Sequence, residues 1–222
     1  MSLILNIDTA LDRASVCLAQ DDRIFQKAVN ENQKDHASWL HPAINELLQK
    51  NKLAVHDLNA VAVSIGPGSY TGLRIGLSAA KGFCYALSIP LIAVSSLKIL
   101  ASAVKEEATD LIVPLIDARR MEVFMAVYDK NMEEKMPAQA MIADESSFVS
   151  LLISHKILFC GNGAEKVKKI LSHDNALFSD ANGDATNLAR LSFRLFQQNE
   201  FADLAYTEPL YVKEFYSASF KK

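Results

Sequence analysis

The chain reads as an α/β protein whose mixed sheets, flanked by helices, are shared between two related lobes. Three observations predict this class. Strand-like runs come first and strands alternating with helices follow, the pattern of a mixed sheet with helices packed on it. A weak internal repeat relates LILNIDTALDRASVCLAQDD near the start to LIVPLIDARRMEVFMAVYDK from Leu111 to Lys130. Each copy is an apolar strand ending in Ile-Asp, a short polar turn, a second apolar strand and an acidic stop, so the architecture reads as duplicated. Half of the 222 residues are apolar, enough for one large domain or two small lobes with real cores. The boundary falls near Glu106 to Asp110, giving lobes at 1–107 and 108–222.

Taken in order, Leu3 to Ile7, Ser15 to Ala19 and Arg23 to Val29 read as strands. The helix from about Asp35 to Lys50 places Leu40, Ala43, Ile44, Leu47 and Leu48 on one face at offsets of three and four. Pro42 lies inside that pattern and predicts a kink or a late start. Val61 to Ile65 is a strand, followed by GPGSYTGLRIG and a helix from Thr71 to about Leu87, then another strand and helix. In the second lobe, Lys156 to Cys160 reads as a strand, Gly161 to Gly163 as a tight turn and Ala164 to Leu171 as a helix. A longer helix spans about Ala185 to Gln198, with Asp184 or Thr186 as N-cap and Leu188, Leu191, Leu195 and Phe196 on its apolar side.

The motif Gly66, Pro67, Gly68, Ser69, Tyr70, Thr71, Gly72, Leu73, Arg74, Ile75, Gly76 reads as strand end, tight loop and helix start. Such a loop can present backbone N–H groups at a helix N-terminus, where the macrodipole favours an anion or a carbonyl. It can equally be a connection too tight for a Cβ, with Pro67 biasing Gly66 towards an extended shape. Standard nucleotide patterns are absent: Leu73 and Arg74 stand where a P-loop carries Lys and Ser or Thr, and the three-glycine Rossmann spacing is missing. Within the helix, Gly72, Gly76, Ala80 and Cys84 recur every four residues and form a narrow stripe almost without side chains. Each helical glycine costs up to ~1 kcal/mol relative to Ala, so close packing should compensate, either on the chain's own sheet or on another subunit.

Net charge is −3 with acids and bases mixed, and no block of Lys or Arg forms a nucleic-acid footprint. Cys17, Cys84 and Cys160 are widely spaced in apolar sequence, which suits reduced core thiols in a cytosolic protein. No basic leader and no apolar run of ~18 residues indicates secretion or a membrane span. Asp8 and Asp117 each end a buried-looking strand, where a carboxylate either holds a metal or orients phosphates, or caps the turn. Capping or a salt bridge is favoured for Asp117, and Asp8 is left open. His36 and His41 stand roughly 140° apart on a helix, against a shared metal, and no nucleophile has an adjacent base.

Five stretches together resemble the bacterial TsaB (YeaZ) family of tRNA threonylcarbamoyladenosine biosynthesis proteins, grouped with the glycoprotease (peptidase M22-like) proteins. They are GPGSYTGLRIG, IDTALDRASVCL, VSSLKILA from Val94, VPLIDARRMEVFMAVYD and PLYVK from Pro209 to Lys213. The resemblance implies an actin-like fold of two RNase H-like units. It implies a non-catalytic scaffold that works with a TsaD-like catalytic paralogue and a TsaE-like ATPase to form N6-threonylcarbamoyladenosine beside the anticodon of tRNAs reading codons starting with A. The tRNA is then met only through the complex, and the chain alone forms a homodimer. The motif loop and the striped helix would be the partner interface. The metal-binding histidines of TsaD-like chains have no counterpart, Ser95, Ser96 and Leu97 occupying the comparable stretch, so neither metal nor cofactor is expected. Asp8, Thr9, Gly161 and Gly163 look like vestiges of a nucleotide site. The alternatives are an ATP-dependent phosphotransferase of the same superfold and a peptidase.

Overall fold

A computed structural model of the chain describes residues 1–32 and 35–213. The first sheet contains β1 (Leu3–Asp8), β2 (Ala14–Gln20), β3 (Arg23–Asn30), β4 (Ala60–Gly66) and β5 (Leu91–Ser95) in the order β3-β2-β1-β4-β5. The second contains β6 (Leu111–Asp117), β7 (Glu122–Asp129), β8 (Glu134–Ile142), β9 (Ile157–Cys160) and β10 (Ala176–Phe178) in the order β10-β9-β6-β7-β8. In each, the first three strands pair antiparallel and the last two join in parallel. The two sheets therefore have one topology, and β1–β2 and β6–β7, the two copies of the repeat, are their equivalent central hairpins.

The helices are α1 (His36–Lys50), α2 (Tyr70–Leu87), α3 (Ser96–Ala103), α4 (Val149–Leu152), α5 (Ala164–Ile170) and α6 (Ala185–Gln197). The predicted apolar face of α1 is buried, and the helix begins at His36 and runs through Pro42, whose ring lies on the exposed side. Together α1 and α2 cover one face of the first sheet, packing on Leu3, Leu5, Ile7, Val16, Leu18, Val61 and Val63. Leu152, Ala164 and Val167 of α4 and α5 cover the outer face of the second.

The inner layers are exchanged between the halves. Helix α3 follows the first sheet in sequence, yet Leu97, Leu100 and Ala101 pack on Ile112, Ile116, Leu158 and Cys160 of the second. Helix α6 follows the second sheet, yet Leu188 and Leu191 pack on Ile4, Ala60, Ala62, Ile92 and Val94 of the first. Of the range 108–222 read as a second lobe, α6 thus serves the first sheet, and residues 214–222 lie outside the described residues. After α6 a strap of residues 201–213 returns along the first sheet, with Ala202 N donating to Leu91 O and Leu210 N to Ile65 O. Strands β8 and β10 and helix α4 are additions to the sequence reading.

Candidate functional site: an inter-lobe cleft and an outward helical groove

The motif loop leaves β4 at Gly66, which has φ +116 and a cis bond to Pro67. A Cβ on Gly66 would lie 2.8 Å from the Leu210 carbonyl oxygen, so glycine meets both the backbone angle and the approach of the strap. Ser69 is the N-cap of α2: its Oγ accepts from Gly72 N at 3.3 Å, and its own N–H donates to Ala10 O at 2.7 Å. The loop is thereby fastened to the β1–β2 turn.

The glycine stripe faces inward. Gly72, Gly76, Ala80 and Cys84 are all buried, and a Cβ at Gly72 would meet Thr9 O at 2.1 Å. At Gly76 it would meet Thr9 Oγ1 at 2.3 Å. Thr9 Oγ1 itself donates to Gly72 O at 2.7 Å, and Cys84 Sγ to Pro90 O at 3.4 Å. Of the two accounts of the stripe, the structure selects packing on the chain's own sheet, and these four positions are corrected from a partner surface to a core seam. Burial raises the thiols of Cys17, Cys84 and Cys160 to about 12, 11 and 12, and all three are free. On the same helix Arg74 is exposed but already held, its Nε donating to Tyr211 Oη at 3.0 Å while its guanidinium lies 3.9 Å from the centroid of the Tyr70 ring.

Between the sheets lies a cleft of about 800 Å³. Leu11, Asp12, Ser69 and Thr71 line one wall and Arg119, Arg120 and Lys166 the other. None of Asp8, Thr9, Gly161 and Gly163 lines it. Asp8 is buried beneath the turn, where Oδ1 accepts from Ser64 Oγ at 2.6 Å and from Ala10 N at 3.2 Å. Gly161 and Gly163 lie against the Leu115 backbone, at Cβ separations of 2.5 and 3.0 Å, leaving Asn162 to face the cleft. Asp117 caps its turn by accepting from Arg119 N at 2.6 Å and pairs with Lys166 Nζ at 2.6 Å, the reading favoured from sequence. Burial acts to raise its pKa, but the Lys166 bond and charge outweigh burial and hold it below the ordinary value. The basic partner comes from α5, a pairing invisible in the local sequence.

Burial raises the Asp8 pKa, only partly opposed by the Ser64 and Ala10 hydrogen bonds. An acid raised in the folded state contributes stability below its unfolded pKa and loses it as pH climbs through the folded value. Asp8→Asn keeps an acceptor for both donors, so it should be more stable than wild type at pH 7, by ~1.4 kcal/mol for each unit of elevation, with the gap closing towards pH 4. Urea melts of both proteins across pH 4–8 measure this; a parallel offset at all pH values would refute it.

A second feature lies outside the cleft. The outward sides of α1 and α2 enclose a shallow, mainly apolar groove of about 560 Å³ lined by Ala37, His41, Ile75, Ala79, Gly82 and Phe83. A Cβ at Gly82 would meet nothing within 4 Å. His41 packs on Phe83 with ring centroids 5.8 Å apart, whereas His36 is buried and bonds Leu11 O at 3.2 Å. Among the described residues no group of three or more His, Cys, Asp or Glu is placed to hold a metal, and no helix is long and apolar enough to cross a membrane.

Two sheets of the same RNase H-like order, facing each other across a cleft, define a two-lobed, actin-like α/β protein. Residues 29–214 match the family model described as TsaD: tRNA N6-adenosine threonylcarbamoyltransferase. The chain is 39% identical over 145 residues to the tRNA threonylcarbamoyladenosine biosynthesis protein TsaB of Bacillus subtilis, covering 64% of this chain and 63% of that one. It is 34% identical over 132 residues to the protein of that name from Escherichia coli, covering 58% and 55%. The match thus spans less than two thirds of these curated relatives. The solved structure of YeaZ from Pseudomonas aeruginosa superimposes with a TM-score of 0.83 at 26% identity, over 95% of this chain and 100% of that one. The chain belongs to the TsaB/YeaZ family.

Proposed function

We propose that this chain is a non-catalytic partner subunit in the formation of N6-threonylcarbamoyladenosine on tRNA, in the cytoplasm. A TsaD-like paralogue carries the transfer, a TsaE-like ATPase assists, tRNA is met through the complex, and the chain pairs with itself when the paralogue is absent. The names of the relatives support the pathway. The observation that carries the partner role is the groove on α1 and α2. It is apolar and open at Gly82, and Tyr85 beside it is 81% exposed, a surface that association would cover. This moves the interface from the buried stripe to the opposite side of the same helix.

The test is light scattering after size-exclusion chromatography, on the chain alone and mixed with the TsaD-like protein of its own organism. Wild type should run as a homodimer that converts to a mixed complex. Gly82→Glu, which introduces a charge where there is open space, should melt as wild type does yet lose both associations by at least tenfold. A wild-type chain that ignores the paralogue, or a variant that binds it undiminished, would overturn the reading.

A further inference from the structure

The groove between α1 and α2 is lined by a single titratable side chain, His41. Its ring packs on Phe83 and remains exposed, and the other lining residues, Ala37, Ile75, Ser78, Ala79, Gly82 and Ala86, carry no charge. On its own helix the neighbours one turn away are Ala37, Ser38, Ile44 and Asn45, again uncharged. The charged groups of the two helices are engaged elsewhere. Glu46 pairs with Lys50 at 2.5 Å, Asp35 accepts from Asn32, Arg74 is held by Tyr211, and Lys81 donates to the Ala205 carbonyl oxygen at 3.1 Å. Among the described residues no carboxylate pairs with His41 to keep a proton on it.

The same face carries a projecting ring and a matching hollow on opposite flanks of α2. Tyr85, three residues after Gly82, stands roughly 60° to one side of it, and Ala79, three residues before, stands roughly 60° to the other, the side of the groove. A two-fold axis through Gly82 sets Tyr85 of each copy over Ala79 and the groove of the other, with open space at Gly82 for the approach. A face complementary to itself selects a second copy of the chain as its occupant, and His41 is then covered.

We infer that His41 makes this self-association pH-sensitive: the neutral imidazole is buried in the apolar seam, whereas the imidazolium keeps the copies apart. The inference rests on the partner-subunit reading of the groove and adds its regulation. The sign follows from desolvation. An imidazole takes up its proton between pH 5 and 8. A lone cation moved from water into an uncharged lining loses hydration that no counter-charge replaces, and its attraction to the facing Tyr85 ring offsets only a small part. Separated chains therefore bind more protons than the pair, and association weakens as pH falls. With one imidazole from each copy, the limiting dependence is about a hundredfold per pH unit.

The experiment is sedimentation of the full chain alone over a concentration series at pH 8, 7, 6 and 5.5. The homodimer dissociation constant should rise at least tenfold from pH 8 to 5.5. His41→Gln, neutral throughout, should associate as well at pH 5.5 as at pH 8. His41→Lys, charged throughout, should be weakened at least tenfold already at pH 8. The side chain is exposed, so far-UV circular dichroism of both variants should match wild type, which separates association from folding. His36 is buried against Leu11 O, and His56, His155 and His173 lie outside the groove. A pH dependence that survives His41→Gln would thus belong to other groups and overturn the inference. Equally tight association from pH 8 to 5.5 would overturn it too, and both results leave the partner reading standing. No homodimer at pH 8 would overturn the inference together with the self-pairing on which it rests.

Discussion

Gly72→Ala should lower the unfolding free energy by about 3 kcal/mol, at the upper end for overpacking, and the melting temperature by roughly 6–12 °C. The added methyl would stand 2.1 Å from the Thr9 carbonyl oxygen, a backbone atom that cannot rotate away. Thr9 is buried, and its hydroxyl also bonds Gly72 O, so α2 and the β1–β2 turn must separate together. Gly82→Ala is the internal control. It lies on the same helix with nothing within 4 Å, so helix propensity alone operates and the variant should gain up to ~1 kcal/mol. Chemical denaturation of both variants measures the contrast. Equal effects at the two sites would mean that the stripe does not pack as described.

The second large effect is expected at Asp184→Ala, about 2 kcal/mol of destabilisation, mostly from the lost helix cap. Asp184 is the N-cap of α6: its Oδ1 accepts from Thr186 N at 2.7 Å, its Oδ2 from Lys27 Nζ at 2.7 Å, and its own N–H donates to Asn187 Oδ1 at 3.2 Å. Lys27 is 37% exposed, so the ion pair adds little beyond the cap. Burial acts to raise the Asp184 pKa, but the Lys27 and Thr186 hydrogen bonds outweigh burial and the folded value lies below the ordinary one. Its stabilisation is present above the unfolded pKa and is lost as pH falls through the folded value. Asp184→Asn keeps the cap and loses only the charge, so it should cost under ~1 kcal/mol at pH 7 and be less sensitive to acid between pH 5 and 2. Thermal melts of the three proteins over that range distinguish cap from charge.

Much of the fold is legible in the sequence because periodicity reports burial on a single element. The α1 face of Leu40, Ala43, Ile44, Leu47 and Leu48 is buried as its spacing predicts, and the Ile-Asp repeat marks the central hairpins of two sheets with one topology. Strand β8 escapes because its burial alternates between exposed and half-buried with Pro137 inside, an edge strand lacking an apolar signature. Strand β10 has only three residues. The layer exchange escapes for a different reason. The apolar stripe of α6 states that it will be buried but not by which sheet, and Leu188 finds its partners far away in β1, β4 and β5.

The candidate site was less legible, since spacing cannot reveal which side of a helix meets the chain itself. Gly72 and Gly76 are a seam with Thr9, and the open side of α2 is marked by Gly82, Ile75 and Phe83, residues with no distinctive pattern. Asp8, Thr9, Gly161 and Gly163 shape the turns that border the cleft without facing it. Arg119 and Arg120 stand left-handed in a hairpin loop, where Gly and Asn are usual, and no spacing in the sequence marks them.

The exchange of α3 and α6 has a consequence for the order in which the protein can form during synthesis. The first five strands and their outer helices are complete once residue 95 has been made, but apart from Ile99 of α3 the inner face of that sheet has no cover until α6, at residues 185–197, emerges. The first half must therefore wait, with Ile4, Ala62, Ile92 and Val94 lacking their final partners, while the whole second sheet is translated. At ~5–20 residues per second this interval is roughly 5–20 seconds, long beside the microsecond-to-second folding of small domains. The nascent chain thus carries an apolar surface that invites chaperones and that no early fragment can close for itself.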